Sequence, residues 1–220
     1  VVRFLAVSGF IALALGACGG DEIVIEAAIP DETGAPAPLA GLRLVFLPYD
    51  RDSVITVLEN RAPSARPSGA RLDSLLDAFR EPFNTYLRVS AALAKASDST
   101  ARRVLEDSVT RARERLNATR DRLEPAIDTE RVRIRAWEDT ALRSYDSIGG
   151  SLVRQSYRDA IVDSTRLDGR VRLKFKGGPW WVTARAIMVS DPNREWYWNI
   201  RITGDTVRID AKSGRAVPRL

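Results

Sequence analysis

The stretch Ile23-Val24-Ile25-Glu26-Ala27-Ala28-Ile29 decides how this chain folds. Ile23, Ile25, Ala27 and Ile29 alternate with Val24, Glu26 and Ala28, the period of a strand with one face buried. The segment from Pro30 to Pro36 is turn chemistry around Gly34. Leu42, Leu44 and Phe46 then alternate with Arg43, Val45 and Leu47 in a second strand, which Pro48 ends. Val54-Ile55-Thr56-Val57-Leu58 is rich in β-branched residues and reads as a third strand. Arg61 to Gly69, with two prolines and two serines, reads as a connector. Strands this early need partners from elsewhere in the chain.

From about Ala70 to Ser147 the period changes. Leu72, Leu76, Phe79, Phe83, Tyr86 and Leu93 follow a helical stripe in which Ser90 fills one slot. Ser97-Asp98-Ser99-Thr100 reads as a turn with N-cap candidates. Leu105, Val109, Ala112, Leu116, Thr119 and Leu123 resume the rhythm, and Ile127, Ile134, Trp137, Ala141 and Tyr145 extend it. Two amphipathic runs joined by a short polar turn fold back antiparallel to bury their stripes. Pro82 and Pro125 lack an amide proton and are expected to kink or restart their helices. Three helices broken at Pro125 are the alternative. Gly149-Gly150 reads as the end of the run.

Beyond it the period of two returns. Val171, Leu173 and Phe175 alternate with Arg172, Lys174 and Lys176, and Trp180 to Val189 carries Val182, Ala184, Ala186 and Met188 on one side. Asp191-Pro192-Asn193 reads as a turn before Trp196, Trp198, Ile200 and Ile202, and Gly204-Asp205 precedes Val207, Ile209 and Ala211. Neither the early nor the late strands alone make a convincing core, whereas together they fill two stacked sheets. The expected fold is α+β: an antiparallel β-sandwich of about seven strands with an inserted antiparallel α-helical hairpin as a projection. Residues 18–60 and 151–220 supply the sandwich and residues 61–150 the hairpin. Two consecutive domains, helical then all-β, are the rival.

Composition narrows the chemistry. The chain has 220 residues, 45% hydrophobic and 29% charged, enough for a sizeable core and unlike a disordered chain. It has no histidine and one cysteine, which excludes a disulfide framework, most metal sites and the usual general base of Ser-His or Cys-His catalysis. The net charge is +5, and only four of the 34 basic residues are lysines.

The first residues read as an address. Arg3 precedes an apolar run from Phe4 to Ala17, too short to span a bilayer and shaped like an export signal over residues 1–17. Leu15-Gly16-Ala17-Cys18 ends that run and resembles the lipobox of bacterial lipoproteins, which implies acylation of Cys18 and removal of the peptide before it. Gly19 after the cysteine, by resemblance to the sorting pattern of diderm lipoproteins, implies the outer membrane, facing the periplasm. The membrane is thus an expected partner.

Two further stretches carry a family resemblance. Thr33-Gly34-Ala35-Pro36-Ala37-Pro38-Leu39-Ala40-Gly41-Leu42-Arg43-Leu44 resembles the first half of carboxypeptidase regulatory-like domains, which are transthyretin-like sandwiches. Asp163-Ser164-Thr165-Arg166-Leu167-Asp168-Gly169-Arg170-Val171-Arg172-Leu173 resembles the second half, and Gly178-Pro179-Trp180-Trp181-Val182-Thr183-Ala184 the strand that follows. About 110 residues separate the halves here, where the family has a short connection. The resemblance implies an accessory or binding module and carries no catalytic residue.

Trp180, Trp181, Trp196, Tyr197 and Trp198 crowd two neighbouring strands. Alternation puts Trp180 and Trp181 on opposite faces, and Tyr197 opposite Trp196 and Trp198. Some of this aromatic surface is therefore either an interaction face or covered by the helices. Asp163, Asp168, Asp191 and Asp205 lack the spacing of a calcium loop and read as turn residues. Ser213 beside Lys212 lacks a Ser-x-x-Lys pattern. Alternating arginines such as Arg111, Arg113 and Arg115 scatter round a helix among acids, the pattern of a solvated surface and not of a nucleic-acid groove. The reading is a non-enzymatic, lipid-anchored envelope protein without cofactor or metal, whose hairpin meets another envelope protein or a cell-wall polymer. A periplasmic adaptor or chaperone-like protein is the alternative.

Overall fold

The computed structural model describes residues 22–31 and 35–220. Strands β1 (Glu22–Pro30), β2 (Pro36–Pro38) and β3 (Arg43–Leu47) come first. Helices α1 (Arg51–Asn60), α2 (Ala70–Lys95), α3 (Ser99–Ala141) and α4 (Tyr145–Ser156) follow. After them come β4 (Ile161–Ser164), β5 (Arg170–Lys174), β6 (Trp181–Met188), β7 (Asp191–Arg201), β8 (Thr206–Ile209) and β9 (Arg215–Pro218).

One sheet gathers around β1, which pairs antiparallel with β2 and β5 and parallel with β8. The other has the order β4-β3-β6-β7-β9, antiparallel throughout. Early and late strands therefore interleave in both sheets, which excludes two consecutive domains. Ile25 and Leu44 lie in one apolar cluster with Val182, Trp198 and Ile209, all almost wholly buried, and Leu173 and Ile200 pack against it. Each large side chain in it contributes about 1.5–3 kcal/mol by leaving water. The expected α+β sandwich with inserted helices is the observed fold, with one parallel pairing among its antiparallel ones.

The expected strand at Val54–Leu58 is instead α1. The carboxylate of Asp50 accepts the Asp52 amide at 3.0 Å and the Ser53 hydroxyl at 2.7 Å, so a helix starts there despite the β-branched run. Helical spacing then lets Leu58 bury itself. Three short strands, β2, β4 and β9, add to the expected set.

Gly149-Gly150 does not end the helical section, which runs to Ser156 within α4. A Cβ on Gly149 would stand 2.6 Å from the Tyr49 hydroxyl oxygen, so this glycine admits a neighbour. Pro82 and Pro125 likewise lie inside single helices. Each forfeits a main-chain hydrogen bond, yet neither restarts its helix, and the three-helix alternative falls. Asp191-Pro192-Asn193 is not a turn but the start of β7, with Asp191 buried.

The hairpin is α2 against α3, with Leu72 and Leu76 fully buried beside Ile127 and Ile134. Asp98 caps α3 by accepting the Ala101 amide at 2.7 Å. The Trp137 indole donates to the Ser64 carbonyl at 2.9 Å and ties the connector to α3. The hairpin does not stand clear of the sandwich as a free projection. Arg80 of α2 reaches Asp191 at 3.3 Å, and the distal part of α2 faces Ile29–Asp31 and Met188–Ser190 across a groove. The turn between α2 and α3 thus lies toward the end where β1 finishes, opposite Glu22.

Candidate functional site

The five aromatic residues split into four settings. Trp196 and Trp198 share the inward face of β7, their rings stacked with centroids 6.1 Å apart. Trp198 is completely buried and its indole donates to the Asp210 carbonyl at 2.8 Å. Tyr197 points the other way and is buried beneath α1. Trp180 is buried against Phe175 at 5.1 Å between centroids, with Arg158 over its outer side at 5.2 Å. Trp181 is half-buried beneath Arg201 at 5.7 Å. Alternation in sequence named the opposed faces correctly; α1 is what covers the Tyr197 face.

Around Tyr197 lies a cleft of about 890 Å³ between α1, α3, the outer face of β6–β7 and residues 215–220. The guanidinium groups of Arg51, Arg185 and Arg215 stand 5.7, 5.1 and 4.6 Å from the Tyr197 ring centre. Cations in this position are attracted by the ring face. The Tyr197 hydroxyl donates to Asp52 at 2.5 Å, and Arg215 reaches the other oxygen of Asp52 at 3.2 Å. Burial, then the bond to Asp52, pushes the Tyr197 hydroxyl up to about 12. Burial also raises the Glu138 carboxyl, against the pull of Arg66 at 2.8 Å. Arg185 pairs with Glu195. The acids of this cleft are each paired with an arginine, and the network fastens the helices to the sheet.

The second concavity is apolar, about 720 Å³, within the range of ligand pockets. Leu87, Ala91 and Ala92 of α2 form one wall, Ile29, Met188 and Trp196 the other, with Arg88 and Lys95 among its lining.

A charge cluster around the buried Asp191, which sequence reasoning missed, joins these two regions. Arg194 of β7 donates to Asp73 at 2.8 Å and to Asp77 at 3.3 Å, and lies 3.6 Å from Asp191. The signal that hid it was Asp-Pro-Asn, which has turn composition but opens a strand here.

Cys18 lies outside the described residues. Of the other acids weighed as ligands, Asp163 accepts the Ser164 amide, Asp168 the Arg170 amide, and Asp191 faces arginine. Among the described residues no group of three or more metal-binding side chains converges, and no helix is long and apolar enough to cross a membrane.

No protein-family model matches this chain, and no curated protein does so significantly. Among solved structures it is similar to the pilus backbone protein of Streptococcus pneumoniae, at 12% identity and a TM-score of 0.23. That similarity covers 86% of this chain and 40% of the pilus chain.

Proposed function

We infer that this is a non-enzymatic, lipid-anchored protein of the cell envelope. It is exported, held by an acylated Cys18 at the outer membrane facing the periplasm, and presents its helical hairpin to another envelope protein or a cell-wall polymer. The observation that carries this reading is the polarity of the fold. β1 begins at Glu22, close behind Cys18 in sequence, and its nine residues run about 30 Å to the end where the hairpin turn lies. A lipid on Cys18 then fixes one end of the sandwich at the bilayer and leaves the hairpin turn at the other. The resemblance to carboxypeptidase regulatory-like domains supports an accessory module without catalytic residues of its own.

The test is the mass of the protein recovered from its own cells, with crosslinking from a photoreactive residue at Ser97. The reading expects a chain that starts at an acylated Cys18, release from the membrane fraction in Cys18→Ser, and a partner captured at the hairpin turn. An unmodified cysteine with unchanged membrane retention in Cys18→Ser contradicts it. The apolar groove beside α2 favours a second reading, an adaptor or chaperone-like protein that takes an apolar client segment. Filling the groove with Ala91→Trp abolishes client binding on that reading and leaves hairpin crosslinking intact on the first.

A further inference from the structure

We propose that the end of the sandwich around Glu22 is itself a binding face for anionic phospholipid headgroups, reinforcing the lipid anchor. The proposal rests on the anchored reading, because it is the position of Cys18 that brings this end to a membrane. Three residues separate Cys18 from Glu22, so over four residue steps the chain reaches at most about 14 Å between them.

The register collects particular side chains at that end. Lys174 is paired opposite Glu22, and Trp181 opposite Arg201. Trp180 donates its indole proton to the Lys176 carbonyl at 2.8 Å, and Arg158 donates to the Pro179 carbonyl at 2.8 Å. Next to Arg158 stands Tyr157, 92% exposed, the left-handed residue that caps α4 at φ 54°. Tyrosine favours the headgroup region of a bilayer, where an apolar ring and a polar edge are both satisfied, and Tyr157 is the exposed aromatic residue at this end.

The charges agree. Arg172 holds Glu22, but Lys174 and Lys176 are exposed and hold no carboxylate among the described residues. Arg158 and Arg201 add two further cations at this end, beside Asp159 and Asp205. The remaining two lysines, Lys95 and Lys212, lie toward the other end: Lys95 lines the groove beside Ile29, and Lys212 follows Ile209, the partner of Ala27. The four lysines are thus divided between the two ends.

That division supplies the test. Among the described residues every core residue lies at or after Ile23, so a chain from residue 19 keeps those residues without acylation. It is sedimented with phosphatidylglycerol vesicles and with phosphatidylcholine vesicles at low ionic strength, where surface charge is least screened. The proposal expects binding to the first and not the second. Each cation near a charged surface is worth about fivefold in binding, so K174Q/K176Q should lose about twenty-five-fold. K95Q/K212Q, with the same change in net charge, should bind as the parent does. No binding to phosphatidylglycerol, or equal losses in the two double variants, overturns the proposal. Failure of the anchor reading appears elsewhere, as an unacylated Cys18 in cells, which this unacylated chain does not measure.

Discussion

Arg194 of β7 donates to Asp73 of α2 at 2.8 Å, across 121 positions of sequence. The same guanidinium lies 3.6 Å from Asp191, whose carboxylate is almost wholly buried, while Arg80 approaches Asp191 from α2 at 3.3 Å. A helix inserted between two strands is thus pinned to the sheet through Asp191 and Arg194, which are shielded from solvent, by partners on α2 that stay about half exposed. Removing one partner of such a cluster leaves another charge buried and poorly compensated.

Arg194→Met should therefore destabilise the fold by about 3 kcal/mol, and the double variant with Asp191→Leu by clearly less than the two single losses together. Urea denaturation of the four proteins measures both. Equal stability of Arg194→Met and the parent would show that the cluster does not hold the hairpin.

Gly149 faces the Tyr49 hydroxyl, which lies 3.3 Å from that of Tyr145. Gly149→Ala should cost about 1–3 kcal/mol through overpacking. In Tyr49→Phe the same substitution should cost much less, because the atom it meets is gone. Thermal unfolding of the double-mutant cycle reads this coupling directly.

Asp50 both caps α1 and accepts a hydrogen bond from Asn199 at 2.6 Å. Burial raises its carboxyl, but hydrogen bonds from Ser53, Asn199 and the backbone outweigh that and hold it below its ordinary value of 3.8. A carboxylate lowered on folding stabilises above the unfolded value, and this stability is lost as pH falls from about 3.8 through the lower folded value. Asp50→Asn keeps a capping side chain but removes the charge, so it should flatten part of the acid limb. Unfolding free energies at pH 6 and pH 3 for both proteins check the sign. An unchanged acid limb in Asp50→Asn would remove Asp50 from this role.

The legibility of this fold followed its locality. The buried alternation of β1, β3 and β5 stands in the sequence because each strand meets the core on one face, and the seam of α2 shows its spacing in the same way. Val54–Leu58 misled because β-branched composition outweighed the cue ahead of it: Asp50, an N-cap residue placed two before Asp52. Gly149-Gly150 misled because its cause is remote, a tyrosine from before the helices. The cleft around Tyr197 draws on residues from 51 to 220, so no local pattern reveals it. Ser90, which fills an apolar slot in the α2 stripe, is buried with no partner for its hydroxyl.

Tether and hairpin turn at opposite ends is the relationship on which the account depends. Its direct measure is energy transfer from a label at position 97, and separately at position 157, to acceptors in the headgroups of vesicles carrying the acylated protein. The account predicts strong transfer from position 157 and a label at position 97 about 30 Å or more farther from the bilayer, the length of β1. A label at position 97 as close to the headgroups as one at position 157 would contradict it.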